Sequence, residues 1–305
     1  MVELIPINFT GSWEKPERSI TAAAIIGLLG IGALYFNLES ILMTVLLEIY
    51  KLVFNIKLSG SVLEKIKQAA IYLKPPILFS VTVSEFLFML LPVMWIIKKW
   101  HTKEISRYLR IRMTSISEIL LAVLITAFLF PFSSFLLDVL LKILRIPPLI
   151  INANSMLFMP RSMTELVFMT FAIAVTPAIC EEIFFRGYFQ RTLERTLGMK
   201  SFIITGILFG LFHMQPLSLI SLSLLGVLLS FFYYRSKSIF PSSAAHFTNN
   251  FLVLLFLFLK SKDLSANGVS ETNLSAVWIF LSLFVSLGLF LVYLRITKNK
   301  VQTRL

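Results

Sequence analysis

Residues 166–187 read LVFMTFAIAVTPAICEEIFFRG: fifteen positions without a charge, then Glu181, Glu182 and Arg186 in quick succession. A run of this kind is read as a membrane-crossing helix, and it carries three charges into or near the bilayer. Ionisable groups at that depth are costly and by default mark a functional site with a nameable partner. Glu182 and Arg186 stand i,i+4 on one helical face, acid first, the better order for an ion pair. Glu181 is turned away from that face by ~100° and is free to meet something else. The bland alternative is a charged pair marking where the span reaches the headgroups.

The composition excludes a soluble domain. Of 305 residues, 57% are hydrophobic and 14% charged, and several uncharged stretches approach the length that crosses a bilayer. The excess of 28 Lys and Arg over 16 Asp and Glu fits basic cytoplasmic loops of a multi-spanning protein rather than nucleic-acid binding. A single cysteine, Cys180, rules out an intramolecular disulfide framework and reads as a small buried hydrophobe.

The fold class expected is all-α: a polytopic membrane helix bundle of about eight transmembrane helices, forming one domain over 1–305, with extra interfacial amphipathic helices. Residues 1–19 lack the basic start and small-residue cleavage site of a removable signal, so the first span, about Ile20–Phe36, is expected to remain. Ser40, Thr44, Glu48, Lys51 and Asn55 recur at helical spacing, which predicts a separate interfacial helix over 40–56, a further span being the alternative. A second amphipathic helix is expected near Val62–Leu73, closed by Pro75-Pro76. Further spans are expected at about Ile77–Ile97 (with Glu85 inside), Ile119–Leu137 (kinked at Pro131), and from Ser162 through the acidic pair. The last four are Ser201–Met214, Leu217–Tyr234, Phe240–Leu259 and Leu274–Leu294. Alternating sides from a cytoplasmic N-terminus puts 18 Lys/Arg inside and 10 outside, the bias of the positive-inside rule, with both termini cytoplasmic. No tandem repeat or second domain is visible.

Two of the three histidines lie in apolar helices, His213 in FGLFH (209–213) and His246 in HFTNN (246–250), whereas His101 sits in a basic loop that suggests no special role. Phe209 shares a face with His213, and His246 with Asn250. Glu181 and His213 lie 16 and 13 residues from the connection between their helices, or ~20–24 Å along each at ~1.5 Å per residue, about mid-bilayer. His246 and Asn250 enter on a later helix. A carboxylate, two imidazoles and an amide can thus converge in one cavity. A carboxylate can take a proton from water with an imidazole sharing the work. Another imidazole and an amide N–H can donate to a developing oxyanion. The competing use is zinc ligation by Glu181, His213 and His246. There is no His-Glu-x-x-His, no Gly-x-Ser-x-Gly, and the only aspartates, Asp138 and Asp263, lie near span ends.

Glu181-Glu182-x-x-x-Arg186, Phe209-x-x-x-His213 and His246-x-x-x-Asn250, in that order over about 160–260, resemble the CPBP (Abi) family of CAAX-protease and bacteriocin-processing intramembrane endopeptidases. The N-terminal half resembles that family only in hydropathy. The resemblance implies an eight-helix fold and a membrane-associated peptide or protein substrate, prenylated CAAX-like or bacteriocin-type. It further implies Glu181 as general base with His213 orienting the water, His246 and Asn250 as oxyanion donors, and Glu182 with Arg186 as a supporting ion pair. A metal-independent glutamate mechanism, with no cofactor, is the expectation; zinc on Glu181, His213 and His246 is the alternative. A non-proteolytic immunity or scaffold protein of the same family, and a transporter, are the competing functions.

Overall fold

The structure is a computed structural model that describes residues 7–147, 156–267 and 275–298. Nine principal helices are present, with the short helix Ile105–Tyr108 between the third and fourth and no strand among the described residues: α1 Ile20–Val53, α2 Val62–Tyr72, α3 Lys74–His101, α4 Ile116–Ile143, α5 Met163–Leu197, α6 Lys200–Phe212, α7 Leu219–Ser236, α8 Phe240–Asn267 and α9 Ala276–Ile296. Seven of these are long and apolar enough to cross a membrane. The exception among the expected spans is α6, whose 13 residues reach only ~20 Å, against a hydrocarbon core of ~30 Å. Leu29, Trp95, Phe168 and Phe284 are among many large apolar side chains more than half exposed, as a lipid-facing surface requires.

Two expectations are corrected. Residues 40–53 are not a separate interfacial helix but the second half of α1, which runs 34 residues unbroken. The polar stripe does not interrupt it because its hydroxyls turn back on the helix: Ser40 Oγ donates to the Phe36 carbonyl at 2.7 Å and Thr44 Oγ1 to that of Ser40 at 2.8 Å. Glu48 and Lys51 pair at 2.8 Å, and neither Gly nor Pro lies between Ala33 and Val53. Likewise Pro75-Pro76 do not end the amphipathic helix; α2 stops at Tyr72 and the prolines occupy the first turn of α3, where no amide hydrogen is needed. The amphipathic helix itself is present, opened by a reciprocal cap between Ser61 and Glu64. Pro131 lies inside α4 as expected.

The largest core is aromatic. Phe184, Phe185, Tyr188 and Phe189 of α5 pack with Phe209 of α6 and with Met89, Val93 and Ile97 of α3. A second core joins Ala122 and Ile125 of α4 to Phe232 of α7, Ala245 of α8 and Tyr293 of α9. Helices α6 and α7 touch backbone to backbone: a Cβ on Gly206 would lie 2.3 Å from the Val227 amide nitrogen, and one on Gly210 2.2 Å from Ser223 Oγ. Such small-residue contacts are how helices associate where burial from water gives no drive. The connection from α5 to α6 is two residues long because Gly198 takes φ 53°, which glycine adopts without a Cβ penalty.

The segments that alternation assigns to one side meet at one end of the bundle. The amides of Gly11 and Ser12 donate to the carbonyls of His101 and Lys99. Glu14 accepts two hydrogen bonds from Arg195, both at 2.7 Å, and one from His101. His101 is fully buried by this contact, so the histidine that the sequence left without a role anchors the N-terminal segment. Burial alone would raise the Glu14 carboxyl; the hydrogen bonds from Arg195 and His101 outweigh it and hold it down at about 2. The tie is therefore complete above pH ~4.5 and is lost only as pH falls through about 2. At the same end the Ile239 amide donates to the Arg110 carbonyl, and Arg235 donates to Thr297 Oγ1 and the Leu294 carbonyl.

This convergence makes a labelling result predictable. Single cysteines at exposed Lys15 and Lys103 should react with an impermeant thiol reagent from one face of the membrane, the cytoplasmic one by charge bias, and one at exposed Lys57 from the other. Labelling of positions 103 and 57 from the same face would overturn the alternation.

Candidate active site

Helix α5 presents the acidic pair at a change of helical pitch. Its Thr176–Glu182 stretch is α-helical, whereas Thr170–Val175 before it and Ile183–Gln190 after it have π-helical hydrogen bonding. Such wide turns are frequent at functional sites. The adjacent carboxylates then part company.

Glu182 points into the protein. It and Arg186 are completely buried and paired at 2.6 Å, the i,i+4 contact that the spacing predicts. Arg186 also donates to the Gly226 carbonyl at 3.0 Å, reachable because α7 approaches so closely there, and its guanidinium lies 4.4 Å from the centre of the Phe209 ring. The second partner of Glu182 is His246, whose Nδ1 stands 2.9 Å from Glu182 Oε1. A carboxylate only accepts, so that bond places the proton on His246 Nδ1.

Glu181 points the other way. Its Oε2 is buried with no hydrogen-bond partner, and it lies 3.8 Å from His213 Nε2 and 3.8 Å from His246 Nε2. His213 donates Nδ1–H to the Phe209 carbonyl at 2.7 Å, a contact possible because His213 caps the end of α6, four residues on. Both imidazoles are thus held by their Nδ1 atoms and turn Nε2 toward one carboxylate oxygen. The 3.8 Å gaps are too long for direct hydrogen bonds and suit a molecule placed between the groups.

Asn250 Nδ2 donates to the Ile173 carbonyl in the first wide turn of α5 at 2.9 Å, and Asn249 Nδ2 donates to Asn250 Oδ1 at 3.1 Å. Asn250 is therefore the amide that reaches across to α5, and Asn249 supports it from behind. One N–H of Asn250 is committed to Ile173, leaving the other to donate elsewhere.

Sequence reasoning left two neighbours out. Glu85 of α3 is buried, its Oε2 has no hydrogen-bond partner, and it is close enough to Glu181 for the carboxylates to repel. Tyr35 of α1 lies within electrostatic reach of the same two acids. A charge within an apolar run was the available signal for Glu85; nothing marked Tyr35. Cys180, by contrast, is a fully buried part of the aromatic core, as its context suggests. The donor chemistry at Glu181, His213 and His246 is of a kind zinc accepts. Among the described residues, however, no three His, Cys, Asp or Glu side chains are disposed to hold a metal ion.

Comparison with known proteins bears on this segment alone. The family model for type II CAAX prenyl endopeptidase, Rce1-like, matches residues 163–252, from the start of α5 into α8 and including all six residues named above. No curated protein and no solved structure matches the chain. The motif-bearing segment of this multi-pass membrane protein is thus similar to the Rce1-like, type II CAAX prenyl endopeptidases, a family of proteases.

Proposed function

We propose that the chain is an intramembrane endopeptidase in which Glu181 activates water to cut a peptide bond of a membrane-associated substrate, prenylated CAAX-like or bacteriocin-type. The observation that carries this reading is the division of labour between adjacent carboxylates. Glu182 is consumed by Arg186 and His246, whereas Glu181 Oε2 is unpartnered between two imidazoles. A water between Glu181 Oε2 and His213 Nε2 meets two acceptors and donates a hydrogen to each. Its lone pairs then face outward to the substrate carbonyl carbon. As the new C–O bond forms, Glu181 takes the proton.

The carbonyl oxygen becomes an oxyanion, for which the free N–H of Asn250 is one donor. His246 Nε2–H is the other when that imidazole carries both protons, with Nδ1–H held by the Glu182 carboxylate. Transfer of the proton from Glu181 to the leaving nitrogen lets the C–N bond break, giving a carboxylic acid and an amine. Arg186 holds Glu182 in place throughout. The test in cells is comparative membrane proteomics of wild type against Glu181→Ala. One peptide should cease to be trimmed; an unchanged peptidome in the variant would favour the immunity or scaffold function instead.

The convergence of two imidazole Nε2 atoms on one carboxylate also favours a second reading, zinc held by Glu181, His213 and His246. We place it second because Glu182, the natural fourth ligand, is engaged by Arg186. Enzyme stripped by a strong chelator and shown metal-free by elemental analysis should keep most of its activity. Restoration of a dead, stripped enzyme by stoichiometric zinc would move these three residues to the metal.

A further inference from the structure

The end of the bundle where the basic segments meet holds a second polar cluster. It is built on Glu194, 13 residues beyond Glu181 on α5 and so ~20 Å along the helix from it. Arg110, in the turn between α3 and α4, donates from both terminal nitrogens to the two Glu194 oxygens at 2.8 Å. Lys237, just past α7, donates to Glu194 Oε1 at 2.6 Å. Arg191, one turn earlier on α5, stands close enough to both Arg110 and Lys237 for the like charges to repel. Three cations thus share a single carboxylate. Burial, with the like charge of Arg110 second, pushes the Lys237 ammonium down to about 8 in spite of its bond to Glu194.

Arg191 is the unsolved member. Its Nε and Nη1 are buried and have no hydrogen-bond partner, although the residue as a whole keeps partial access to the surface. Those two nitrogens carry three N–H donors. Leaving buried donors of a charged group unmet carries the full desolvation penalty. Water could accept from them but would leave the excess charge standing. An oxyanion supplies both the acceptors and the charge. Phosphate suits a guanidinium because several of its oxygens can accept from neighbouring N–H groups at once. The cluster sits where spans α3, α5 and α7 end and α4 and α8 begin, and the end of α3 with the residues just past it also carries the exposed Lys98, Lys99 and Lys103.

We propose that Arg191, with Arg110 and Lys237 beside it, is the seat of a phosphate group, supplied by the headgroup of an anionic phospholipid. The seat does not depend on the protease reading. Its test uses the full chain in a neutral detergent, with dioleoyl phosphatidylglycerol or dioleoyl phosphatidylcholine added at equal concentration and bound lipid counted by native mass spectrometry. Wild type should retain phosphatidylglycerol over phosphatidylcholine by about fivefold for each cation engaged. Arg191→Gln should reduce retention of phosphatidylglycerol by about fivefold, the share of one cation, without lowering the melting temperature measured in detergent alone. Equal retention of the two lipids by wild type, or undiminished phosphatidylglycerol on Arg191→Gln, would overturn the proposal. If that variant does not accumulate, Arg191→Lys and the wild-type lipid comparison still decide it. Adding millimolar inorganic phosphate separates the sources: displacement of the lipid shows that free phosphate also fills the seat, and persistence assigns it to the lipid.

Discussion

Glu181→Gln is expected to leave the protein folded and inserted while lowering peptide hydrolysis by about 10²–10⁴-fold, the range that a positioned general base contributes. The amide keeps the shape of the carboxylate but cannot take a proton. Little stability is at stake, because Glu181 Oε2 makes no hydrogen bond within the protein. The measurement pairs turnover of a membrane-associated peptide in proteoliposomes with thermal melting of the same preparation. A normal rate would remove Glu181 from the chemistry. A collapse of melting temperature alongside the rate would make it structural.

The neighbouring substitution should do the reverse in the order of its effects. Glu182→Gln leaves Arg186, completely buried, without its counter-charge, and breaking a buried pair from one side costs about 3–5 kcal/mol. It also weakens the hold on His246 Nδ1. Folded yield and melting temperature should fall first, with activity falling as the folded fraction does. Restoring charge balance by removing the arginine as well, in Glu182→Gln/Arg186→Met, should recover much of the yield, because a buried ion pair replaced by apolar groups is often neutral. If Glu181→Gln and Glu182→Gln lost rate and yield in equal measure, the division of roles between the two carboxylates would be wrong.

What the sequence disclosed follows the range of each interaction. The Glu182–Arg186 pair was legible because both residues lie on one helix four apart, a contact set by local geometry whatever packs around it. The meeting of Glu181 with His213 was legible for a related reason: the two helices share a tight connection, so counting residues from it gives depth. The partners of His101, Arg110 and Lys237 were not. Their acids lie 87, 84 and 43 positions away in sequence, and only packing brings such residues together. The continuity of α1 escaped for the opposite reason. Its polar stripe has an amphipathic period, but the hydroxyls are satisfied by the helix's own carbonyls, so the pattern carried no information about a break. The count of spans fell between these cases: hydropathy located α6 correctly but did not show that the helix ends at Phe212, with His213 as its cap.

That ending bears on how the proposed hydrolytic site would be supplied with water, its second reactant. Residues 213–218 follow the short helix without helical hydrogen bonding, and Met214, Gln215 and Pro216 are exposed. Irregular backbone cannot face hydrocarbon, because its amide and carbonyl groups would go unmet; at that depth it is tolerated only where water or protein reaches it. With α6 about 10 Å shorter than the hydrocarbon core, the bilayer must thin or a wet recess must open beneath His213. Solvent then arrives beside the imidazole that faces Glu181, without a channel through the bundle. Hydration of the proposed active site is in this sense written into the length of one helix, and inserting a turn into α6 would dry it.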